Sequence, residues 1–202
     1  LLTLASWPKR RAMTRRRLDM AASTFAIRTR AKGLLSRLAH DLEIYAEGVS
    51  GDVELTGDGW RTELEFPVAK MRVVGVLKGE RVDRGVLSSS DRAEIERKIQ
   101  REVLPFDRVS VTASGKSREA GEISVRAGSG VQSLKVTQKP ETRRDGELVA
   151  RGSARVSLKK LGVAEVKGPL GAFKVDDEVE LVWWVMLEAD TSASADHPSD
   201  DP

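Results

Sequence analysis

Apolar and polar residues alternate along many short segments of this chain, and this period of two constrains the fold more than any other feature. In residues 60–66, one face of an extended chain carries Trp60, Thr62, Leu64 and Phe66, and the other face carries charged residues. Residues 178–187 alternate in the same way. Successive side chains of a β-strand point to opposite faces, so both segments are predicted to be half-buried antiparallel strands.

Further strands are predicted wherever the same alternation or a compact apolar run returns: 34–46, 49–55, 71–77, 109–113, 123–127, 131–137 and 148–158. Gly57-Asp58-Gly59 and Asp145-Gly146 favour tight turns between neighbouring strands. No repeat of 20–50 residues is visible, which argues against solenoids and propellers. The predicted fold class is therefore mainly all-β: a closed or nearly closed antiparallel sheet of about eight to ten strands.

One segment has the spacing of a helix instead. Asp91 is predicted to cap its N-terminus, with Glu94 completing a capping box. Ile95, Ile99 and Val103 then recur every four residues on one face, before Pro105 ends the run. An apolar helical face needs a surface to cover, so we expect this one α-helix to cover part of the barrel.

The two termini differ from the body in charge. Of the 202 residues, the first 19 hold six basic side chains, and the tail from residue 190 is small, polar and acidic. We predict a disordered basic leader or upstream extension over 1–22, a barrel domain over 23–189 and a disordered tail over 190–202. The leader lacks the order of charged and apolar residues of a secretory signal, so a cytoplasmic location is expected, with a periplasmic one open if the true N-terminus is missing.

Composition removes most chemistry from consideration. The sequence has no cysteine and only two histidines, which argues against thiolate metal sites and cysteine nucleophiles. No phosphate-binding or nucleophile-elbow motif occurs, and no run of about 18 apolar residues predicts a membrane helix. The body is nearly neutral, unlike a nucleic-acid binder. We therefore expect no enzyme activity, catalytic residue, metal, cofactor, nucleic-acid partner or transmembrane segment.

Several segments together resemble a known family. These are residues 24–27 followed by Ser36-Arg37-Leu38-Ala39-His40-Asp41-Leu42, the helical insert 88–105 leading into 106–111, and the stretches 152–163 and 168–179. In this arrangement they resemble the YceI-like proteins over roughly residues 24–187. The resemblance implies a lipocalin-like, extended antiparallel β-barrel of about eight strands whose apolar interior holds an isoprenoid or fatty chain.

The function expected on this basis is non-catalytic binding or carriage of a hydrophobic small molecule; the alternative is a stress-response or interaction protein whose barrel is filled by its own side chains. His40 is expected to face the interior with Leu38 and Leu42, since residues two apart on a strand share a face, and to hydrogen-bond the head of a ligand. A homodimer stays open. The candidate ligand-binding residues are Leu34, Leu38, His40, Leu42, Ile44, Trp60, Leu64, Phe66, Phe173 and Trp183.

Overall fold

The computed structural model describes residues 13–32, 40–143, 146–167 and 174–188. Its strands are β1 (Met13–Arg17), β2 (Thr24–Thr29), β3 (Ala31–Lys32), β4 (Leu42–Ala46), β5 (Ser50–Thr56), β6 (Gly59–Pro67), β7 (Met71–Lys78), β8 (Arg81–Asp83), β9 (Arg108–Gly115), β10 (Ala120–Ala127), β11 (Gly130–Thr142), β12 (Leu148–Ser157), β13 (Lys174–Val175) and β14 (Glu178–Leu187). The helix α1 spans Ser89–Lys98 and continues as a π-helical turn, Ile99–Val103.

Twelve strands form one antiparallel sheet in the order β1-β5-β6-β9-β10-β11-β12-β14-β2-β4-β7-β8, and β3 pairs with β13. The thirteen-residue β11 pairs with β10 through its first part and with β12 through its last part, so the ladder continues as the sheet turns. The sheet curls around the apolar side chains of its concave face. The expected all-β, lipocalin-like class with one helix is confirmed; the described strands outnumber the predicted eight to ten because several are very short.

The corner between β6 and β7 is a short 3-10 turn, Val68–Lys70, around which the chain changes direction. Val68 is 1% exposed, and its backbone N–H donates to the carbonyl of Asp107 over 3.0 Å. Because a buried N–H without a partner is costly, this bond fixes the bend. The corner therefore carries the chain from one half of the curled sheet to the other without opening the core.

The sheet begins earlier in the chain than the sequence predicts. β1 pairs with β5 over its whole length, from Met13 opposite Thr56 onwards, and Leu18 is buried opposite Leu187 of β14. Residues 13–18 therefore belong to the folded sheet and not to a disordered leader, because β5 offers them an unpaired edge. Residues 1–12 and 189–202 lie outside the described residues, so the disorder expected there and the outer limits of the domain stay predictions.

The N-cap of the helix lies three residues before the predicted cap. Ser88 is the N-cap: its hydroxyl accepts from the backbone N–H of Asp91 over 3.1 Å, and the Asp91 carboxylate accepts from the backbone N–H of Ser88 over 2.9 Å. The prediction of Asp91 as the cap, with Glu94 as its partner, was wrong, since Asp91 itself is the third helical residue of the capping box. The apolar face was placed correctly, as described below.

Candidate functional site

A cavity of about 770 Å³ lies inside the curled sheet. This volume is within the usual range of small-molecule sites. Inward-facing aliphatic and aromatic side chains from β2, β4, β5, β6, β9, β10, β12 and β14 form most of its wall. Ile95, Ile99 and Val103, the face predicted for the helical segment, complete the wall at one end. The alternation seen in the sequence therefore produces an apolar lining and not a solid core.

The structure brings most of the predicted site residues to this cavity. Its wall includes His40, Leu42, Ile44, Trp60, Leu64, Phe66 and Trp183. The other three candidates, Leu34, Leu38 and Phe173, lie outside the described residues. Their roles in ligand binding stay predictions.

His40 has a different setting from the one expected. β4 begins only at Leu42, and His40 precedes it as an exposed residue at the border of the cavity. The carboxylate of Asp41 accepts from the backbone N–H of Ala31 over 2.8 Å, and its carbonyl accepts from the backbone N–H of Leu77 over 2.8 Å. These bonds hold the chain just before the regular ladder. His40 therefore lies at the rim, where it contacts solvent as well as the cavity.

The rim is at the helix end of the cavity. Val86 borders the cavity and is 38% exposed, so the apolar interior reaches the surface here. Charged residues of both signs surround this point: Arg30, Asp91, Glu94, Lys98 and Lys167. The Ser88 hydroxyl, and after it the Ser88 backbone N–H, hold the pKa of Asp91 below its usual value by hydrogen bonding to the carboxylate.

Only a few contacts attach the helix at this rim. The carboxylate of Glu96 accepts from the backbone N–H of Val73 over 2.9 Å, and Lys98 donates to the carbonyl of Lys167 over 2.8 Å. No residue of α1 is buried; the buried anchor is Ile99, in the π-helical turn. Near the N-terminal end of α1, the guanidinium of Arg92 donates to the carbonyl of Arg84. The helix therefore covers the mouth of the cavity as a surface element, and the buried anchor beside it is Ile99.

Trp60 lies at the opposite end of the lining, where Arg118 and Gln138 also border the cavity. Its register partner on β9 is Gly115, and Gly121 of β10 is the next inward position on the following strand. A Cβ atom on Gly115 would lie 2.5 Å from Nε1 of the indole, and one on Gly121 would lie 2.6 Å from Cζ2. The ring therefore lies flat across three strands on two positions without side chains.

Hydrogen bonds fix this end of the cavity. Nε1 of Trp60 donates to the carbonyl of Ser117 over 2.9 Å, and Nε2 of Gln138 donates to the carbonyl of Arg118 over 2.9 Å. The eight residues of β9 separate this end from Leu104, at the helix end, by about 20–25 Å. The cavity is thus elongated, with a charged rim at one end and, at the other, an indole near Arg118 and Gln138.

Several lining residues were not identified as site residues from the sequence. Phe25 and Ile27 of β2 line the wall, as do Leu181 and Val185 on the same face of β14 as Trp183. Their period of two was visible and could have identified them. The close contact between the rings of Phe25 and Phe66, whose centroids are 5.2 Å apart, was not visible, because it joins two strands that do not pair.

No family model and no curated protein matches the sequence, so its similarity to known proteins is one of fold. BcnA of Burkholderia cenocepacia superposes with a TM-score of 0.59 at 10% identity, over 84% of this chain and 99% of that one. A polyisoprenoid binding domain from Saccharophagus degradans, implicated in plant cell wall breakdown, gives 0.57 at 7% identity over 89% and 100%.

A third solved structure, of a mutant CJ YceI protein, superposes with a TM-score of 0.51 at 8% identity, over 73% of this chain and 85% of that one. The chain has a YceI-like fold. The resemblance drawn from the sequence is thereby confirmed at the level of fold. Among the described residues, no helix is both long and apolar enough to cross a bilayer.

Proposed function

We propose that this chain binds a hydrophobic small molecule, an isoprenoid or a fatty chain, inside its cavity and does not convert it chemically. The observation that carries the proposal is the apolar cavity of about 770 Å³. Moving a methylene group from water to such a lining is favourable by about 0.8 kcal/mol, so a long chain gains affinity along the whole wall. The elongated shape suits a chain better than a compact ring system.

Two further observations support this proposal over a barrel filled by its own side chains. Protein interiors are normally packed to near-crystalline density, and the space found here is far larger than an ordinary packing defect. In addition, one solved structure with the same fold is called a polyisoprenoid binding domain. An isoprenoid is therefore a natural first candidate for the ligand.

The polar groups of the lining support binding without catalysis. Thr62 lies in the wall, but its hydroxyl is engaged with the carbonyl of Asp52 at 2.8 Å. The charged residues that border the cavity lie at its two ends and not along its middle. Among the described residues, no three His, Cys, Asp or Glu side chains are grouped as metal ligands. Between its charged ends, the described part of the wall therefore offers mainly apolar contact area.

The test is to identify what the protein carries and then to block the cavity. Native mass spectrometry and lipid extraction should reveal a co-purifying apolar molecule, and a fluorescent fatty acid or isoprenoid should titrate into the lipid-free protein. Ala113 is an inward-facing residue of β9, and Ala113→Phe should weaken uptake at least fivefold by filling the lumen. Thr112→Phe, on the exposed face of the same strand, is the matched control and should change nothing.

A wild-type protein that holds no lipid and takes up neither probe would exclude the carrier function. Equal affinities for wild type and Ala113→Phe, with both proteins folded, would place the probe outside the cavity and contradict the proposal as well.

A further inference from the structure

We propose that Trp60 is the length stop of the cavity, the residue that sets the longest chain the protein can enclose. The inference rests on the proposed function and adds to it a specificity-determining residue. Its basis is the position of the indole, at the end of the lining remote from the helix, with its ring laid across β6, β9 and β10.

The indole occupies a boundary between two unlike spaces. On the inner face of the sheet is the apolar cavity; on its outer face, behind the indole, is an open, more polar groove, which Trp60 also borders. Gly115 and Gly121, the two positions beneath the ring, border that groove as well. Charged residues of the outer face continue the groove: Glu54, Arg61, Lys116, Glu122, Lys135, Arg155 and Glu180. Within the cavity itself, Arg118 and Gln138 line the wall near the indole, so a chain that extended past the indole would leave apolar surroundings for polar ones.

The indole is held in place and does not swing freely. Its N–H donates to the carbonyl of Ser117 in the β9–β10 turn, and this bond is partly buried. The ring sits so close to Gly115 and Gly121 that a single methyl group at either position would collide with it. A hydrogen bond and two fitted contacts from neighbouring strands define one orientation for the ring. Trp60 therefore acts as a fixed wall.

A fixed wall has a measurable consequence for affinity. While a bound chain is shorter than the cavity, each added methylene should tighten binding about fourfold, the ratio that corresponds to burying one CH₂ group. Once the chain reaches Trp60, further methylenes meet a fixed indole and the polar side chains of Arg118 and Gln138, and should gain less. The affinity should then level off or fall at one chain length.

The experiment is a displacement titration with saturated fatty acids of increasing length, from octanoic to eicosanoic acid, against a bound fluorescent chain probe. We expect wild type to show a plateau. Trp60→Leu should move that plateau to longer acids, because the smaller side chain leaves more room at this end of the cavity. Trp60→Phe should move the plateau by a smaller step. Trp184→Leu is the matched control: Trp184 is exposed on the other face of β14, against Arg151, and its loss should leave the plateau where it is.

Thermal melts of all four proteins establish that they are folded, and Trp60→Phe supplies a milder change if Trp60→Leu does not fold. A plateau at the same acid in wild type and in a folded Trp60 variant would overturn the inference and leave the binding function intact. Affinity that keeps rising through eicosanoic acid in wild type would do the same. Absence of any uptake by wild type would instead contradict the proposed binding function, on which this inference rests.

Discussion

The two ends of the cavity are bounded by different kinds of structure. At the Trp60 end, the pairing of β6 with β9 places a half-buried indole on two glycines, and a hydrogen bond holds it there. At the helix end, α1 lies on the surface with no buried residue and with Ile95 as its one large apolar side chain. Elements with few buried contacts open locally at low free energy, whereas sheet interiors open only with the whole domain. We therefore expect a ligand to enter at the helix end.

We expect the largest effect on the Trp60 end from removal of β1. This strand flanks the Trp60 end, because Thr14 pairs with Leu55 and Leu55 pairs with Trp60. A chain that begins at residue 23 loses that strand and the buried Leu18. Deleting one buried Leu side chain typically costs about 3 kcal/mol, so the melting temperature should fall by about 10 °C. Removal of residues 191–202 is the comparison variant, with an expected change within about 2 °C. A shift of that small size for both truncations would show that the Trp60 end does not depend on β1.

The helix end is tested at its anchor. Ile99 is 9% exposed and faces the cavity, so Ile99→Asp should lower the free energy of unfolding by about 3 kcal/mol or more in a urea titration. Arg97→Asp, on the exposed side of α1, should cost less than about 0.5 kcal/mol. If the two substitutions prove equally mild, the helix is not anchored through Ile99, and the whole segment behaves as a mobile cover.

The rim can be examined through His40. If its imidazole hydrogen-bonds the head of a bound chain, His40→Leu should weaken binding about fivefold, which corresponds to about 1 kcal/mol for one such bond, and should leave the melting temperature unchanged. A fluorescent fatty acid titration beside a thermal melt measures both. The opposite result, lower stability with unaltered affinity, would assign His40 a structural role.

The smallest expected effect concerns pH. The folded-state pKa of Asp91 is held below its ordinary value of 3.8, first by the Ser88 hydroxyl and then by the Ser88 backbone N–H. The cap therefore contributes its full stability above the ordinary pKa and loses it as the pH falls through the lowered value. Amide protons at the start of α1 should lose protection on acidification, after correction for intrinsic exchange.

The indole N–H of Trp60, bonded to a peptide carbonyl, should show no matching change. Asp91→Asn should remove the pH dependence at the start of α1. Parallel loss of protection at both ends of the cavity would mean that acid unfolds the domain as a whole and would erase the contrast.

Local patterns in the sequence were sufficient for much of the wall. The faces of β6 and β14 followed from alternation alone, because the direction of a strand side chain depends only on its position along the strand. The face formed by Ile95, Ile99 and Val103 followed from a spacing of four for the same reason. Ser88 was missed as the cap although its Ser-x-x-Asp pattern is local, so that error was one of interpretation.

Other features required the tertiary structure, because each depends on a partner far along the chain. A basic segment became β1 only because the edge of β5 was available to it, with Arg15 opposite Glu54. His40 lies at the rim because hydrogen bonds join the neighbouring Asp41 to Ala31 and Leu77. Trp60 could lie flat only where strands from distant parts of the sequence set Gly115 and Gly121 beneath it. The alternation determined which side chains face inward; the pairing of strands decided that they enclose a cavity instead of filling it.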